Sequence, residues 1–293
     1  MEKPEPEAPV PGASSDIHAD LRVMLLLIFG ILAVLASLFA CVRWVEPRVA
    51  FFPMRGETVT PQDFGVGYEP LTIETRDGER VHGWAISESS VCPHILYFHG
   101  NGGNLSLWAP ILTAIATHGY AVVAFDYRGY GLSTGHPTER GLYHDVEAVV
   151  ERFHRSAPSG LPIVYWGRSL GVAMASYAAT IREPDGLILE SGFPDARSLL
   201  RGSPLFRMLA HLSSYRFSAI ESLRSLRSPV PALVLHGDGD HIVPISQGRA
   251  LFDAVAAPKR FVTLRGGDHN DLTPSDPETY WGALAEFTRS LRR

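Results

Sequence analysis

Cysteine is scarce in this chain of 293 residues, which has only Cys41 and Cys92. The first lies in an apolar N-terminal segment and the second between two predicted strands, so no disulfide framework is expected. The sequence also lacks a C-x-x-C pair, an H-E-x-x-H motif and a cluster of cysteine and histidine, and it therefore predicts no metal site and no cofactor. Nucleic acid is not an expected partner, because the formal net charge is −5 and the pI is about 6.2.

One long apolar run is present near the N-terminus. Val23–Val42 comprises twenty residues without a charged side chain, and a helix of that length spans roughly 30 Å, the thickness of a bilayer core. The segment before it is rich in proline, glutamate and alanine. We therefore expect a disordered tail over 1–22, a single transmembrane anchor over 23–42 and a linker over 43–67. The alternative is a cleaved signal or a lipoprotein attached through Cys41, because Leu38–Cys41 resembles a lipoprotein cleavage box.

Beyond the linker, a hairpin is followed by strands that alternate with helices. This order predicts an α/β fold in which helices cover both faces of a mostly parallel central sheet. We expect one such domain over 68–293, with a short lid insertion over 191–228. The predicted strands are Leu71–Thr75, Arg80–Ile86, Ile95–Phe98, Tyr120–Phe125, Ile163–Trp166, Gly186–Glu190, Ala232–His236 and Phe261–Leu264.

Ser169 lies at the centre of a Gly-Arg-Ser-Leu-Gly pentapeptide, Gly167–Gly171. An apolar predicted strand precedes it and an alanine-rich predicted helix follows it, so the serine is expected on a tight strand-to-helix turn. The two glycines leave room for that turn, because a Cβ atom there would crowd the strand against the helix. A serine held in this way can serve as a nucleophile if a base takes its proton. The structural alternative is an ordinary junction with a capping serine.

Two further motifs offer an acid and a base. Asp240 ends the motif His236–Asp240 after one predicted strand, and His269 lies in Gly267–Asp271 after the next. The order serine, aspartate, histidine is that of the α/β-hydrolase triad, in which the carboxylate orients the imidazole. Asp238 is interpreted as a turn former, because Asp-Gly favours turns.

An oxyanion in acyl transfer needs backbone donors near the nucleophile. We expect the N–H of Leu170, at a helix N-terminus, and the N–H of Asn101, with Gly102 as the alternative to Asn101. His99, in the same loop, is expected to brace the loop rather than act as a base. A nucleotide site is the competing interpretation of these glycines, but Leu105 occupies the place of the third glycine in G-x-G-x-x-G and no Walker lysine follows.

From Phe51 to the C-terminus the chain resembles the BEM46-like branch of the α/β-hydrolase superfamily. The resemblance implies serine hydrolase chemistry with Ser169, Asp240 and His269 as the triad. It does not imply a substrate, because the lid segment varies widely in such proteins. Asp268 departs from the usual pattern, since a small residue is common before the histidine. The motifs that carry the resemblance are His99–Asn104, Asp126–Ser133, Gly167–Gly171, His236–Pro244 and His269–Asp271.

These observations favour a membrane-anchored serine hydrolase that cleaves an ester, a thioester or an amide through an acyl-enzyme. Its expected partners are an acyl-containing substrate and a membrane. The alternative is a non-catalytic α/β-hydrolase scaffold that binds a membrane partner. An intact triad argues against the scaffold, because a binding protein has no need of all three residues.

Overall fold

The computed structural model describes residues 13–86, 93–158, 160–199 and 213–291. The chain divides into two compact units, Met1–Glu46 and Pro47–Arg293. Each unit is considered by itself.

The first unit is built on one long helix, α1 (Ala13–Ala50), which continues a few residues into the second. Its part Leu21–Ala50 contains a window of mean hydropathy 2.9 that is wholly unburied, and it is long and apolar enough to cross a membrane. The tail expected over 1–22 differs from the structure, because α1 already begins at Ala13. Residues 13–20 include no proline or glycine, so the helix can extend back from the apolar segment to Ala13. Residues 1–12 lie outside the described chain.

The second unit contains the strands of the described chain. In chain order these are β1 (Phe52–Pro53), β2 (Tyr68–Glu74), β3 (Arg80–Ile86), β4 (His94–Phe98), β5 (Gly102–Gly103), β6 (Ala121–Phe125), β7 (Ile163–Arg168), β8 (Gly186–Glu190), β9 (Ala232–Gly237) and β10 (Lys259–Leu264). Its helices are α2 (Leu105–Thr117), α3 (Glu139–Ser156), α4 (Leu170–Ile181), α5 (Ala196–Leu199), α6 (Ala219–Arg224), α7 (Ile245–Ala254), α8 (Leu272–Ser275) and α9 (Pro277–Ser290).

Eight of the strands form one sheet, in the order β10–β9–β8–β7–β4–β6–β3–β2. From β10 to β6 all neighbours are parallel, whereas β3 pairs antiparallel with both β6 and β2. The predicted α/β fold, with its leading antiparallel hairpin, is therefore confirmed. Parallel strands joined by helices bring their carboxyl ends to one edge of the sheet, which is where such folds place ligands.

Both faces of the sheet are buried, as β4 illustrates. Leu96 and Phe98 belong to one hydrophobic cluster, together with residues of α3 and α4. Ile95 and Tyr97 belong to a second cluster, with residues of α2 and α9. Side chains alternate between the two faces of a strand, so a run of apolar residues without a polar interruption is what a two-sided core requires.

The linker expected over 43–67 is only partly separate from the domain. Residues 43–50 end α1, and the following residues pack on the second unit. Strand β1 pairs in parallel with β5, and Pro61–Phe64 forms a short 3-10 helix. Phe51 and Val66 are buried in the two clusters. Because these isolated apolar residues are buried in the core, the segment packs against the domain and does not form a separate linker.

The predicted lid is described at its two ends, over 191–199 and 213–228. Helices α5 and α6 lie in these parts, and residues 200–212 lie outside the described chain. Phe51 makes edge-to-face contacts with Tyr215 and Phe217, whose ring centroids are 5.3 and 6.0 Å away. The C-terminal end of the lid thus packs on the segment that follows α1.

Candidate active site

Ser169 lies between the last residue of β7 and the first residue of α4. Its backbone has φ 54° and ψ −117°, a conformation that side-chain-bearing residues rarely adopt. Gly167 and Gly171 make the turn sterically possible. A Cβ atom at Gly167 would collide with the carbonyl of Gly171, and a Cβ atom at Gly171 would collide with the carbonyl of Phe98. The expected tight turn is present, and it holds the serine at the carboxyl edge of the sheet.

A continuous chain of hydrogen bonds leads away from the serine. The Ser169 Oγ lies 3.0 Å from Nε2 of His269, and Nδ1 of the same ring lies 2.8 Å from Oδ2 of Asp240. A carboxylate accepts only, so Nδ1 carries the proton and Nε2 offers its lone pair to the serine hydroxyl. The structure therefore brings together the three residues that the sequence motifs singled out.

The carboxylate of Asp240 is buried but well satisfied. Its Oδ1 accepts the N–H groups of Ile242 at 3.0 Å and Val243 at 2.7 Å. Burial alone would raise the pKa of this carboxyl group, but hydrogen bonds from His236, His269 and Val243 outweigh it and hold the pKa well below its usual range. The group is therefore an anion at neutral pH, able to fix and stabilise a charged imidazole.

The neighbouring aspartates bind backbone groups instead. Asp238 accepts the N–H of Gly266 at 2.7 Å. Asp268 accepts the N–H of His269 at 2.7 Å and that of His241 at 3.2 Å, and these contacts lower its pKa. Both carboxylates thus shape the turns that carry the acid and the base.

The loop after β4 passes directly beside the nucleophile. A Cβ atom placed on Gly100 would lie 3.4 Å from Cβ of Ser169. The side chain of Asn101 donates to the carbonyl of Ala50 at 2.7 Å. The hydroxyl of Tyr130 lies 2.9 Å from both the main-chain oxygen and Oδ1 of Asn101. This loop is held from two sides, which suits a segment whose N–H is expected to bind an oxyanion.

The other expected donor, Leu170, is the first residue of α4. The first N–H groups of a helix have no partner within it, and they carry its positive partial charge. An oxyanion forming on a carbonyl group attacked by the Ser169 Oγ would therefore meet a favourable field.

His99 lies beneath the same loop, fully buried. Its Nδ1 is 2.7 Å from the carbonyl of Gly100, so the ring donates to the loop. Burial lowers the pKa of His99 to about 4, against the hydrogen bond to Gly100 that raises it. Its Nε2 faces Oδ1 of Asp126 at 3.5 Å. The ring is neutral at physiological pH and braces the loop, as the sequence predicts.

Arg168 was not among the residues predicted from the sequence, yet it contacts several parts of the site. Its buried guanidinium donates to the carbonyl of His269 at 3.0 Å and lies 5.3 Å from the ring centroid of Trp108. Its Nε is 3.5 Å from Oε1 of Glu190, a fully buried carboxylate. The available signal is a charged residue at the end of an apolar strand, where an arginine needs a partner.

Two more buried groups support the triad without having been predicted. Glu190 accepts the indole N–H of Trp166 at 2.8 Å and the hydroxyl of Tyr280 at 3.1 Å. His236 lies with Nε2 2.8 Å from the carbonyl of Val243 and 3.4 Å from Oδ2 of Asp240. The imidazole of His236 thus lies against the same carboxylate oxygen that His269 contacts. Among the residues that the structure describes, no group of three or more potential ligands could hold a metal ion.

A family model described as alpha/beta hydrolase fold matches residues 93–197. Protein Rv2307c of Mycobacterium tuberculosis is 33% identical over 270 residues, which cover 91% of this chain and 95% of that protein. YNL320W of Saccharomyces cerevisiae, named as a membrane protein, is 32% identical over 239 residues, covering 80% and 84%. Bem46 of Schizosaccharomyces pombe is 31% identical over 248 residues, covering 80% of each chain.

Solved structures share the fold at lower sequence identity. The esterase Pf2001 of Pyrococcus furiosus superposes with a TM-score of 0.66 at 20% identity, covering 82% of this chain and 97% of that one. The acylaminoacyl peptidase of Pyrococcus horikoshii superposes with a TM-score of 0.56 at 17% identity, covering 78% of this chain and 42% of that one. Both likenesses concern the fold alone.

Proposed function

Because this chain belongs to the BEM46-like branch of the α/β-hydrolase family, we propose that it is a membrane-anchored serine hydrolase. It cleaves an ester, a thioester or an amide by acyl transfer to Ser169. The observation that carries the proposal is the hydrogen-bonded series Ser169–His269–Asp240, with contacts of 3.0 and 2.8 Å. Its members come from three loops at one edge of the sheet, the arrangement that nucleophilic catalysis by serine requires.

In the first half-reaction the Ser169 Oγ attacks the carbonyl carbon of the substrate. Nε2 of His269 takes the hydroxyl proton as the new C–O bond forms, and the carbonyl oxygen becomes an oxyanion. The carboxylate of Asp240 stabilises the imidazolium through the Nδ1 proton. When the tetrahedral intermediate collapses, the imidazolium gives its proton to the leaving oxygen, sulfur or nitrogen, and an acyl-enzyme remains.

In the second half-reaction water replaces the leaving group. The neutral imidazole of His269 takes a proton from water, and the hydroxide attacks the acyl carbon. Collapse of the second intermediate releases the carboxylic acid and returns the proton to the Ser169 Oγ. The N–H groups of Leu170 and Asn101 are the proposed donors to both oxyanions, and such donors contribute about 3–4 kcal/mol each where they have been removed in serine hydrolases.

Helix α1 supplies the proposed membrane anchor. Its apolar part satisfies the length and composition of a single span, and a yeast relative is named as a membrane protein. Attachment as a lipoprotein through Cys41 is the alternative. The two differ in the mature N-terminus, which mass spectrometry of the membrane fraction reads directly.

A non-catalytic scaffold that binds a membrane partner is the competing function. It has no requirement for a buried, anionic Asp240 beside His269 or for a strained serine backbone, and the strain at Ser169 lowers stability without aiding a binding surface. We therefore favour catalysis.

The decisive experiment uses a fluorophosphonate, which labels activated serines. The full chain should be labelled on Ser169, and Ser169→Ala should lose the label together with about 10³–10⁶-fold in kcat/KM on short-chain p-nitrophenyl esters and acyl thioesters. Ser176→Ala is the matched control, because Ser176 is a buried serine on the same helix. Persistent labelling in Ser169→Ala, or no labelling of the folded chain, would contradict the proposal.

A further inference from the structure

Four large apolar side chains of the second unit lie exposed on neighbouring segments of the chain. Phe52, Met54, Leu107 and Leu132 keep 62%, 53%, 58% and 52% of their surface accessible. We call this group the apolar rim. Single exposed apolar residues are ordinary on protein surfaces, whereas a contiguous group indicates an interaction site.

Backbone contacts place the three segments that carry the rim beside one another. Met54 donates its N–H to the carbonyl of Gly103 at 2.9 Å, and the side chain of Leu107 packs against Gly103. Gly131, the residue before Leu132, donates to the carbonyl of Met54 at 2.8 Å. Phe52 lies two residues before Met54 along an extended segment, so both share a side. The rim is therefore one surface assembled from three separate segments.

The rim borders the candidate active site. Strand β5 begins at Gly102, directly after Asn101 of the proposed oxyanion loop. Strand β1, which carries Phe52, pairs with β5 along its whole length. A surface that engages the rim would consequently lie next to the loop that flanks Ser169.

The occupant that fits this surface is a lipid bilayer. The expected anchor within α1 ends at Val42, ten positions before Phe52, and residues 43–50 continue as the last turns of the helix. Chain connectivity thus limits the distance from Phe52 to the membrane surface, because ten residues span at most about 36 Å. None of the four side chains is charged, and apolar side chains in this position enter the boundary between headgroups and acyl chains.

We propose that the apolar rim inserts into the bilayer that holds α1, so that the candidate active site works at the membrane surface rather than away from it. The inference rests on the proposed anchor but not on catalysis. It assigns to the catalytic unit a second membrane contact, independent of the helix. Substrates whose acyl chains reside in the bilayer would then reach Ser169 without first leaving the lipid.

The test places a bimane fluorophore on the full chain in vesicles of phosphatidylcholine that contain doxyl-labelled lipid. Single cysteines replace rim residues, Leu107→Cys or Leu132→Cys, in a background with Cys41→Ser and Cys92→Ser. The matched control is Ile181→Cys, an exposed apolar position at the far end of α4 and therefore at the opposite edge of the sheet. We expect strong quenching at both rim positions and little at Ile181.

Equal quenching at all three positions, or none at the rim, would overturn the proposal. Shielding of the rim that depends on protein concentration and occurs without lipid quenching would indicate a second copy as the occupant, and would overturn it too. Vesicle flotation shows whether the chain is anchored in the membrane. Fluorophosphonate labelling in the same samples shows whether Ser169 is an activated nucleophile. A result that contradicts insertion of the rim can therefore be distinguished from one that contradicts the proposed function.

A second measurement uses the rate. Leu107→Asp combined with Leu132→Asp should lower hydrolysis of a long-chain acyl ester embedded in vesicles several-fold, relative to hydrolysis of a water-soluble short-chain ester. Ile181→Asp should leave that ratio unchanged. An unchanged ratio in the rim variant would contradict insertion.

Discussion

The guanidinium of Arg168 donates a hydrogen bond of 3.0 Å to the main-chain carbonyl of His269. The residue next to the candidate nucleophile is thereby joined to the residue that carries the candidate base. The same guanidinium lies over the ring of Trp108, whose indole N–H binds the carbonyl of Gly102 at 3.0 Å. One buried side chain therefore contacts or supports the turn of Ser169, the loop of His269 and the loop after β4.

Replacing Arg168 should impair turnover without unfolding the protein. Arg168→Lys keeps the charge but loses the planar, stacked geometry and the directed bond to His269, so we expect kcat/KM to fall by about 10- to 100-fold, the equivalent of one lost charged hydrogen bond of ~1.5–3 kcal/mol. The fall should appear mainly in kcat, because the contact positions the base. Arg182→Lys, at the exposed end of α4, is the control. Steady-state kinetics with equal circular-dichroism spectra would check this, and an unchanged kcat would contradict it.

The identity of the acid is tested by exchanging carboxylates for amides. Asp240→Asn should lower kcat by on the order of 10³- to 10⁴-fold, because an amide at this place favours the wrong tautomer of His269. Asp238→Asn and Asp268→Asn should lose far less, since these side chains bind backbone N–H groups. Turnover of the three folded variants decides the assignment. A larger loss in Asp238→Asn than in Asp240→Asn would show that the acid is wrongly assigned.

Stability should depend on pH through Asp126. Burial raises the pKa of this carboxyl group to about 8 from 3.8, despite the hydrogen bond from Leu105. Between these two pKa values the folded chain holds a proton that the unfolded chain has released. The contribution of Asp126 to the free energy of unfolding is therefore complete at low pH and is lost as the pH rises, by up to about 1.4 kcal/mol per pH unit.

The matched variant is Asp126→Asn, whose amide oxygen still accepts the Leu105 N–H but does not titrate. Melting temperatures of both proteins should be measured from pH 5 to pH 8. We expect the wild type to lose stability relative to the variant as pH rises, while contributions from titratable groups that do not contact Asp126 cancel in the comparison. His99 does contact it, at 3.5 Å, but the pKa of His99 is lowered to about 4, so this imidazole stays neutral over the measured range. Parallel curves would contradict a raised pKa at Asp126.

The segment after α1 should be needed for activity. A chain that begins at Arg43 keeps β1 and should hydrolyse a small soluble ester. A chain that begins at Glu57 lacks β1 and the Ala50 carbonyl that Asn101 binds at 2.7 Å, so its turnover should be strongly reduced. Asn101→Ala in the full chain tests the same contact without truncation. Equal turnover in all of them would mean that the oxyanion loop needs no such support.

The elements of the sheet were predictable because their signals are local. Strand β8, Gly186–Glu190, has the predicted bounds. The motifs around Ser169, Asp240 and His269 follow parallel strands that end at the same edge of the sheet. Contacts between distant residues were not predictable in this way. The bond from Arg168 to His269 spans 101 positions, and the bond from Asn101 to Ala50 spans 51. An isolated core residue such as Phe51 is not part of a periodic apolar pattern. The packed part of the segment 43–67 therefore resembled a linker in the sequence.

The backbone of Ser169 has a consequence for how this chain can change over evolutionary time. A residue with a side chain at φ 54° and ψ −117° is strained, and glycine at the same position is not. Ser169→Gly should therefore give a more stable protein that has lost its nucleophile. Selection for stability and selection for chemistry oppose each other at this one codon, and a lineage that no longer needed the reaction would be expected to lose the serine early while keeping the fold.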